Sequence, residues 1–223
     1  MDKEELITGI VEAELAIFLA VPSVGGPASC QQDPDRFRIM WAVQFAAWSE
    51  TTLSLYREDL LRAQRGGRNL LTEKYARMDG LLGPVLDNPL IREIVRIQLS
   101  WQRDLARRYP AFMNHGRNLT EDSESNTSFA TYLAGELATY SAGTLVSLMA
   151  DIQVCLDRGG TWPGPYTKAW SKAWDTPPWR RLKKPRVEDR EPHPVRQGRL
   201  SGGFGNKPGS RFPHRKRPFF LTS

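Results

Sequence analysis

Four polar side chains, two that can hold or transfer a proton and two that can hydrogen-bond to them, stand at matching places in two similar halves of the chain. Glu14 aligns with Gln98, and Gln44 aligns with Glu136, so each half supplies one carboxylate and one carboxamide. If the halves pack with two-fold pseudosymmetry, we expect the four side chains to converge near the middle of the protein. A buried glutamate must be ion-paired, hydrogen-bonded or protonated, because burying the bare charge is costly.

Two interpretations of these four side chains are open. In the first, they line a pocket in which Glu14 and Glu136 bind a cationic or polar small molecule, or perform general acid–base chemistry. In the second, they form a hydrogen-bonded network that fixes how the halves pair, with Arg68 or Arg117 as the counter-ion. Di-metal centres of helical bundles usually add histidine in a Glu-x-x-His spacing, which this sequence lacks. We therefore expect neither a metal nor a cofactor.

A short motif that occurs twice, at residues 67–70 and 116–119, is a second candidate for binding. Each copy places an arginine and an asparagine after a glycine: Arg68, Asn69, Arg117 and Asn118. A guanidinium and an amide can bind a carboxylate or a phosphate. The simpler interpretation is that glycine ends one helix and asparagine caps the next. The following run, residues 72–77, includes Glu73 and Tyr75, which either add to this site or belong to an amphipathic helix with a solvated charged face.

The elements that must position these side chains are helices, and they occur twice. Residues 37–67 and 129–159 align without a gap, with eight identities in thirty-one pairs. In both copies apolar residues recur every three or four positions, which predicts one continuous helix of about eight turns. A further helix precedes each copy. The sequence therefore predicts an all-α closed bundle of two repeated long-helix hairpins, at about residues 4–79 and 88–160.

Composition divides the chain into a helical body, residues 1–160, and a tail, residues 161–223. Residues 176–223 hold thirteen Lys and Arg against three Asp and Glu, whereas the rest of the chain has a net charge of −4. The tail is rich in Trp, Pro, Gly and Arg, so we predict that it is largely disordered. Positive charge interleaved with phenylalanine is typical of weak, salt-sensitive contact with nucleic acid or an anionic surface. The alternative is an appendage without a binding role.

Cysteine content and hydropathy bear on the compartment. Two cysteines, Cys30 and Cys155, do not make a disulfide framework for a chain of 223 residues and indicate a reducing compartment. The N-terminal apolar run contains two glutamates and lacks a basic leader, and the chain has no long uninterrupted apolar stretch, so we expect a cytoplasmic protein without a membrane span. Cys30 is a candidate nucleophile only if a base lies beside it, and His115 is the sole histidine of the body.

Several short sequence words are specific in combination. They are Ala-Ser-Cys-Gln at 28–31, Gly-Arg-Asn-Leu at 67–70, Thr-Glu-Lys-Tyr-Ala-Arg-Met at 72–78, Gln44-Phe45-x-x-Trp48 and Glu136-x-x-Thr139-Tyr140-Ser141. With these words the chain resembles an uncharacterised bacterial family, one of the domains catalogued without a known function, over about residues 4–160. The resemblance implies a small helical bacterial protein and says nothing about chemistry.

The sequence leaves two functions open. The first is a non-enzymatic helical module that binds a partner protein or a small polar ligand, favoured because no reactive group stands in a recognisable catalytic arrangement. The second is an enzyme in which Glu14 and Glu136 form an acid–base pair while Arg68 and Arg117 anchor an anionic or polar substrate. Glu14→Gln should alter affinity under the first hypothesis and abolish turnover under the second.

Overall fold

Seven α-helices and a short 3-10 helix make up most of the residues that the computed structural model describes, which are 2–21, 29–83, 88–110, 117–123 and 127–160. The helices are α1 (Lys3–Leu19), α2 (Pro34–Phe45), α3 (Glu50–Arg65), α4 (Leu70–Met78), α5 (Pro89–Arg108), α6 (Phe129–Leu137) and α7 (Ala142–Asp157), and the 3-10 helix is Ser29–Gln32. These ranges contain no strand, so the all-α class is confirmed. None of their helices is long and apolar enough to cross a membrane. The tail lies outside the described residues.

Several helices begin at a short polar side chain that caps their first turn. Asp2 and Glu5 form a capping box at the start of α1, and Asp33 caps α2 directly before Pro34. Asn69 caps α4 by accepting a hydrogen bond from a backbone N–H of the first turn. Each cap satisfies a backbone N–H that has no partner within its helix.

Both of the predicted long helices are broken in the middle, so the prediction of two continuous helices is wrong. The first copy forms α2 and α3, and the second forms α6 and α7. At each break a serine, Ser49 or Ser141, has an extended backbone with ψ of 159° or 160° and caps the next helix through its hydroxyl. Serine is suited to this role because its side chain competes with helical hydrogen bonds. The apolar period survives the break, since Phe45 and Trp48 both remain in the core.

The second half of each broken helix packs against its counterpart through two matching aspartates. Asp59 Oδ2 on α3 accepts hydrogen bonds from Thr144 Oγ1 at 2.6 Å and Ser141 N at 2.9 Å. Asp151 Oδ2 on α7 accepts them from Thr52 Oγ1 at 2.6 Å and from the backbone N–H of the capping serine of α3 at 2.9 Å. Each aspartate therefore binds the N-terminus of the opposite helix, which requires α3 and α7 to lie side by side in opposite directions.

The remaining helices pack around this pair. α1 packs on α2 and α3, α5 packs on α6 and α7, and α4 packs on α6. One core contains apolar side chains from all of these helices, among them the fully buried Ile10, Leu53, Ile94 and Leu148. Residues of α1, α2, α3, α4 and α6 border the polar centre described next.

Candidate functional site

Glu136, on the last turn of α6, is held by three donors from three different segments. Its Oε1 accepts hydrogen bonds from Gln44 Nε2 at 3.1 Å and from the Tyr140 hydroxyl at 2.9 Å. Its Oε2 lies 2.5 Å from Lys74 Nζ. The structure thus brings together Gln44 and Glu136, the carboxamide and carboxylate that the alignment of the two halves pairs.

Lys74 is the counter-ion of this carboxylate, and it is buried. The residue is 1% exposed, and Nζ lies 3.6 Å from the centre of the Tyr132 ring. A buried ammonium group is tolerated only where opposite charge and aromatic faces replace water, as they do here. α4 reaches this position because α6 carries Gly135 at the contact, where an added Cβ would lie 3.2 Å from the Lys74 carbonyl oxygen.

Glu14, on α1, is the second buried carboxylate and is only partly satisfied. The Tyr56 hydroxyl donates to Oε1, and the Trp41 indole also favours the ionised carboxyl group. Within the described residues, Oε2 is buried and has no partner at hydrogen-bond geometry. Burial is the main reason why the pKa of Glu14 rises from 4.5 to about 7. The Tyr56 hydrogen bond opposes that rise, and the negative charge of Glu136 adds to it.

Two tyrosines with contacting, mutually tilted rings lie between the carboxylates. Tyr56, which donates to Glu14, and Tyr140, which donates to Glu136, have ring centres 4.7 Å apart. Trp48 contacts both rings edge-on, at 5.5 Å and 5.9 Å. Burial and the nearby carboxylates raise the pKa of both phenols well above the usual value, so both hydroxyls stay protonated and act as donors.

A small cavity lies between the two carboxylates. Its walls come from α1, α2, α3, α4 and α6 and from the turn after α6, and the lining residues are Glu14, Trp41, Tyr56, Leu70, Leu71, Lys74, Glu136 and Thr139. Its volume is about 10 Å³, on a scale where one water molecule needs roughly 10–15 Å³. The cavity therefore admits a group of the size of a water molecule and no larger part of a ligand.

The first copy of the glycine-arginine-asparagine motif ends one helix and begins the next. Gly67 has a left-handed backbone with φ of 65°, and Asn69 accepts from Thr72 N at 3.0 Å while donating to the Ile17 carbonyl at 2.8 Å. Both contacts are structural. Arg68 binds Glu73 at 2.6 and 2.7 Å in an exposed pair, and this pair is not part of the cavity lining.

Arg117 and Asn118 of the second copy likewise do not line the cavity. Arg117 is 4% exposed and donates to the Thr127 carbonyl at 2.7 Å. Its guanidinium carbon lies 4.9 Å from the centre of the Tyr132 ring, the same ring that Lys74 contacts. Burial lowers the pKa of this arginine. Asn118 Oδ1 accepts from two backbone N–H groups at 3.2 Å and forms a turn.

The other predicted site residues do not join the cavity. Gln98 is half-buried on α5 and Tyr75 is half-buried on α4, and neither belongs to its lining. His115 lies outside the described residues, as do the side chain of Cys30 and the basic tail. Across the described ranges, no three His, Cys, Asp or Glu side chains are grouped so that they could hold a metal ion.

Sequence reasoning missed Lys74, Tyr56 and Tyr140 as members of the centre. Lys74 belongs to residues 72–77, which the sequence assigns either to the arginine-asparagine site or to an amphipathic helix with a solvated charged face. A signal was present, because Lys74 stands four residues from both Leu70 and Met78, on the apolar stripe of α4. Tyr56 and Tyr140 occupy positions of the apolar pattern that repeats every three or four residues. At such positions the sequence predicts a buried ring but does not indicate what the hydroxyl binds.

Comparison with known proteins gives a family but no activity. Residues 4–162 match the family described as "Protein of unknown function (DUF4125)". No curated protein and no solved structure shows significant similarity to the chain. The predicted resemblance to a domain without a known function is therefore confirmed.

Proposed function

We propose a binding function for this chain, which belongs to the DUF4125 family of proteins of unknown function. It acts as a non-enzymatic helical module that binds a small polar ligand at the centre between Glu14 and Glu136. The observation that carries the proposal is the buried Oε2 of Glu14, which has no hydrogen-bond partner within the described residues and belongs to a side chain that lines the cavity. A buried polar atom of this kind is costly unless an occupant satisfies it.

Charge and space favour binding over catalysis at this centre. Both carboxylate oxygens of Glu136 are already engaged by Lys74, Gln44 and Tyr140, so a substrate would have to displace one of these partners to reach it. The two arginines expected to anchor an anionic substrate, Arg68 and Arg117, are engaged elsewhere. The cavity also admits only one small group.

An enzymatic role is the second candidate, and one observation favours it. A carboxyl group whose pKa lies at about 7 is well matched to general acid–base catalysis near neutral pH. In this version Glu14 exchanges a proton with a group that enters the cavity. Glu14→Gln would then abolish turnover while the substrate still bound, whereas a binding module would lose affinity.

We also propose that the body consists of two copies of one helical unit, with the cavity near the axis that relates them. Asp59 and Asp151 support this, since each makes the same two hydrogen bonds to the other half. Gly67 and Gly159, which stand at equivalent places after α3 and α7, have φ of 65° and 63°. The polar centre departs from the symmetry, because α4 supplies Lys74 from one half.

The proposal also covers the location of the protein in the cell and the role of its basic residues. We propose a cytoplasmic protein whose basic residues 176–223 make weak contact with nucleic acid or an anionic surface, on the basis of their charge and phenylalanines. Retention of the full chain on heparin should decrease steeply with salt. A chain ending at residue 175 should show no retention at any salt concentration.

A thermal-shift screen of the full chain against polyamines, other amines, nucleotides and carboxylates tests the binding function. A ligand at 100 times its dissociation constant stabilises the protein by about 2.7 kcal/mol, which is a visible shift. The shift should disappear in Glu14→Gln and persist in the control Glu4→Gln, whose side chain is exposed on the first turn of α1. A cooperative melt with no Glu14-dependent ligand would make the centre structural and leave a partner protein as the target.

A further inference from the structure

The centre has an unbalanced charge when Glu14 is ionised. Two carboxylates, Glu14 and Glu136, share the cavity with one ammonium group, that of Lys74. Lys74 lies against Glu136 at 2.5 Å, and the tyrosines that face the pair are neutral donors. The ionised centre therefore carries one uncompensated negative charge, and its open acceptor is Oε2 of Glu14.

The walls of the cavity suit a positively charged occupant. Trp41 and Tyr56 border the cavity, and indole and phenol faces attract ammonium groups. Thr139 donates its hydroxyl hydrogen to the Glu136 carbonyl at 2.7 Å, which leaves its oxygen free to accept. An anion would meet two carboxylates here, and an apolar group would leave Oε2 of Glu14 unsatisfied.

The volume of the cavity further restricts the class of ligand that it can bind. A volume of about 10 Å³ matches one water molecule, and an ammonium ion is a group of comparable size. A quaternary ammonium is much larger and has no N–H to donate. A guanidinium is planar and would need several acceptors in one plane.

We infer that this centre binds a protonated amino group, either the ammonium ion or the terminal ammonium of a short alkylamine, which donates a hydrogen bond to Oε2 of Glu14. The inference rests on the proposed binding function and names its ligand class. The bound cation restores charge balance beside Lys74 and Glu136. It also holds Glu14 ionised, so binding releases a proton from the fraction of molecules in which Glu14 is protonated.

Thermal melting of the full chain in chloride salts at equal ionic strength tests this inference. The probes are ammonium, methylammonium and propylammonium, with sodium and tetramethylammonium as controls and formamide as a neutral N–H donor. The melting temperature should rise with the logarithm of ammonium concentration, relative to sodium, and a rise with methylammonium is expected only if the ligand is the end of an amine. Tetramethylammonium should give no rise, Glu14→Gln should abolish the ammonium effect, and Glu4→Gln should retain it.

The remaining outcomes distinguish the free ammonium ion from the end of an amine as the ligand. They also distinguish a failure of this inference from a failure of the proposed binding function. A rise with propylammonium as large as that with ammonium identifies the end of an amine as the ligand, whereas a rise with ammonium alone identifies the free ion. If formamide but not ammonium raises the melting temperature, and this rise requires Glu14, then the ligand is not a cation. The inference is overturned in that case, whereas the proposed binding function is retained. No Glu14-dependent rise with any probe overturns the inference, and the wider ligand screen then decides the binding function by itself.

A second measurement applies if Glu14→Gln does not melt cooperatively. The rise that ammonium produces in the unmodified protein should be larger at pH 8 than at pH 6, because the cation and the proton compete for the same carboxyl group. Equal rises at the two pH values would overturn the inference.

Discussion

The ammonium group of Lys74 lies 2.5 Å from Oε2 of Glu136, with 2% of the lysine side chain and 15% of the glutamate side chain exposed. This buried pair joins α4 to α6, and the Tyr132 ring contacts its positive end. It also fixes the electrostatics of the cavity, since Glu136 is neutralised and Glu14 is not. The pair is therefore both a structural contact and the reason that the open acceptor belongs to Glu14.

Lys74→Met should destabilise the protein by about 3 kcal/mol, because it leaves a buried carboxylate without its counter-ion. Chemical denaturation measures the loss. Adding Glu136→Gln to this variant should recover part of it, since the uncompensated charge is then removed. The matched control is Arg68→Met, which breaks an exposed ion pair and should cost about 1 kcal/mol or less. Equal losses of stability in Lys74→Met and Arg68→Met would contradict the account.

Glu14 should make stability depend on pH in an unusual direction for a carboxyl group. Its pKa is raised from 4.5 to about 7 on folding, so the folded state binds the proton more tightly than the unfolded state does. The contribution is complete below pH 4.5 and is lost as pH rises through about 7, by roughly 3 kcal/mol at most.

Denaturation of the unmodified chain and of Glu14→Gln between about pH 5 and pH 8 isolates this effect. The unmodified chain should lose stability relative to the variant as pH rises. A constant difference across this range would show that the glutamate titrates at its ordinary pKa.

The two aspartates between α3 and α7 should contribute similar amounts to stability. Asp59→Ala or Asp151→Ala leaves a backbone N–H and a threonine hydroxyl of the opposite helix without their acceptor, which should cost about 1–3 kcal/mol. Asp157→Ala is the control, because this aspartate is exposed and accepts its hydrogen bond from Gln153 of the same helix. A loss at one of the two sites alone, measured by denaturation, would argue against equivalent roles.

Gly135→Ala should disturb the contact between α4 and α6. The new methyl group would lie 3.2 Å from the Lys74 carbonyl oxygen and 3.3 Å from Met78 Cγ, so α4 must move away at a cost of about 1–3 kcal/mol. Gly9→Ala is the control within α1, where nothing lies within 4 Å of the added Cβ, and it should stabilise by about 0.5–1 kcal/mol. A neutral or stabilising effect of Gly135→Ala on the melting temperature would contradict close packing at Lys74.

Alignment of the two halves was enough to predict part of the centre. Gln44 and Glu136 occupy equivalent positions, and they bond to each other. Glu14 reaches the same cavity, whereas its counterpart Gln98 does not line it. The difference arises because α4 packs on α6 and brings Lys74 into the centre, and the sequence of each half alone cannot show which elements cross over.

The helix boundaries show the limit of periodicity in the same way. Residues on both sides of Ser49 keep a spacing of three or four and remain buried, so a pattern of apolar residues cannot detect the break. At the break the Ser49 N–H donates a hydrogen bond to Asp151, which lies on a helix that is distant in sequence. The local pattern of apolar residues is compatible with a continuous helix and with a broken one. Contacts with residues that are distant in sequence decide between these two conformations.

The protonation of Glu14 is the most direct test of a ligand at this centre. Nuclear magnetic resonance of side-chain ¹³C-labelled glutamate, with Glu14 assigned from its loss in Glu14→Gln, gives the titration midpoint in the full chain. We predict a midpoint at about pH 7 in sodium chloride and a lower midpoint in ammonium chloride of equal ionic strength. A midpoint near the ordinary value of 4.5, or a raised midpoint that ammonium does not move, would contradict the account.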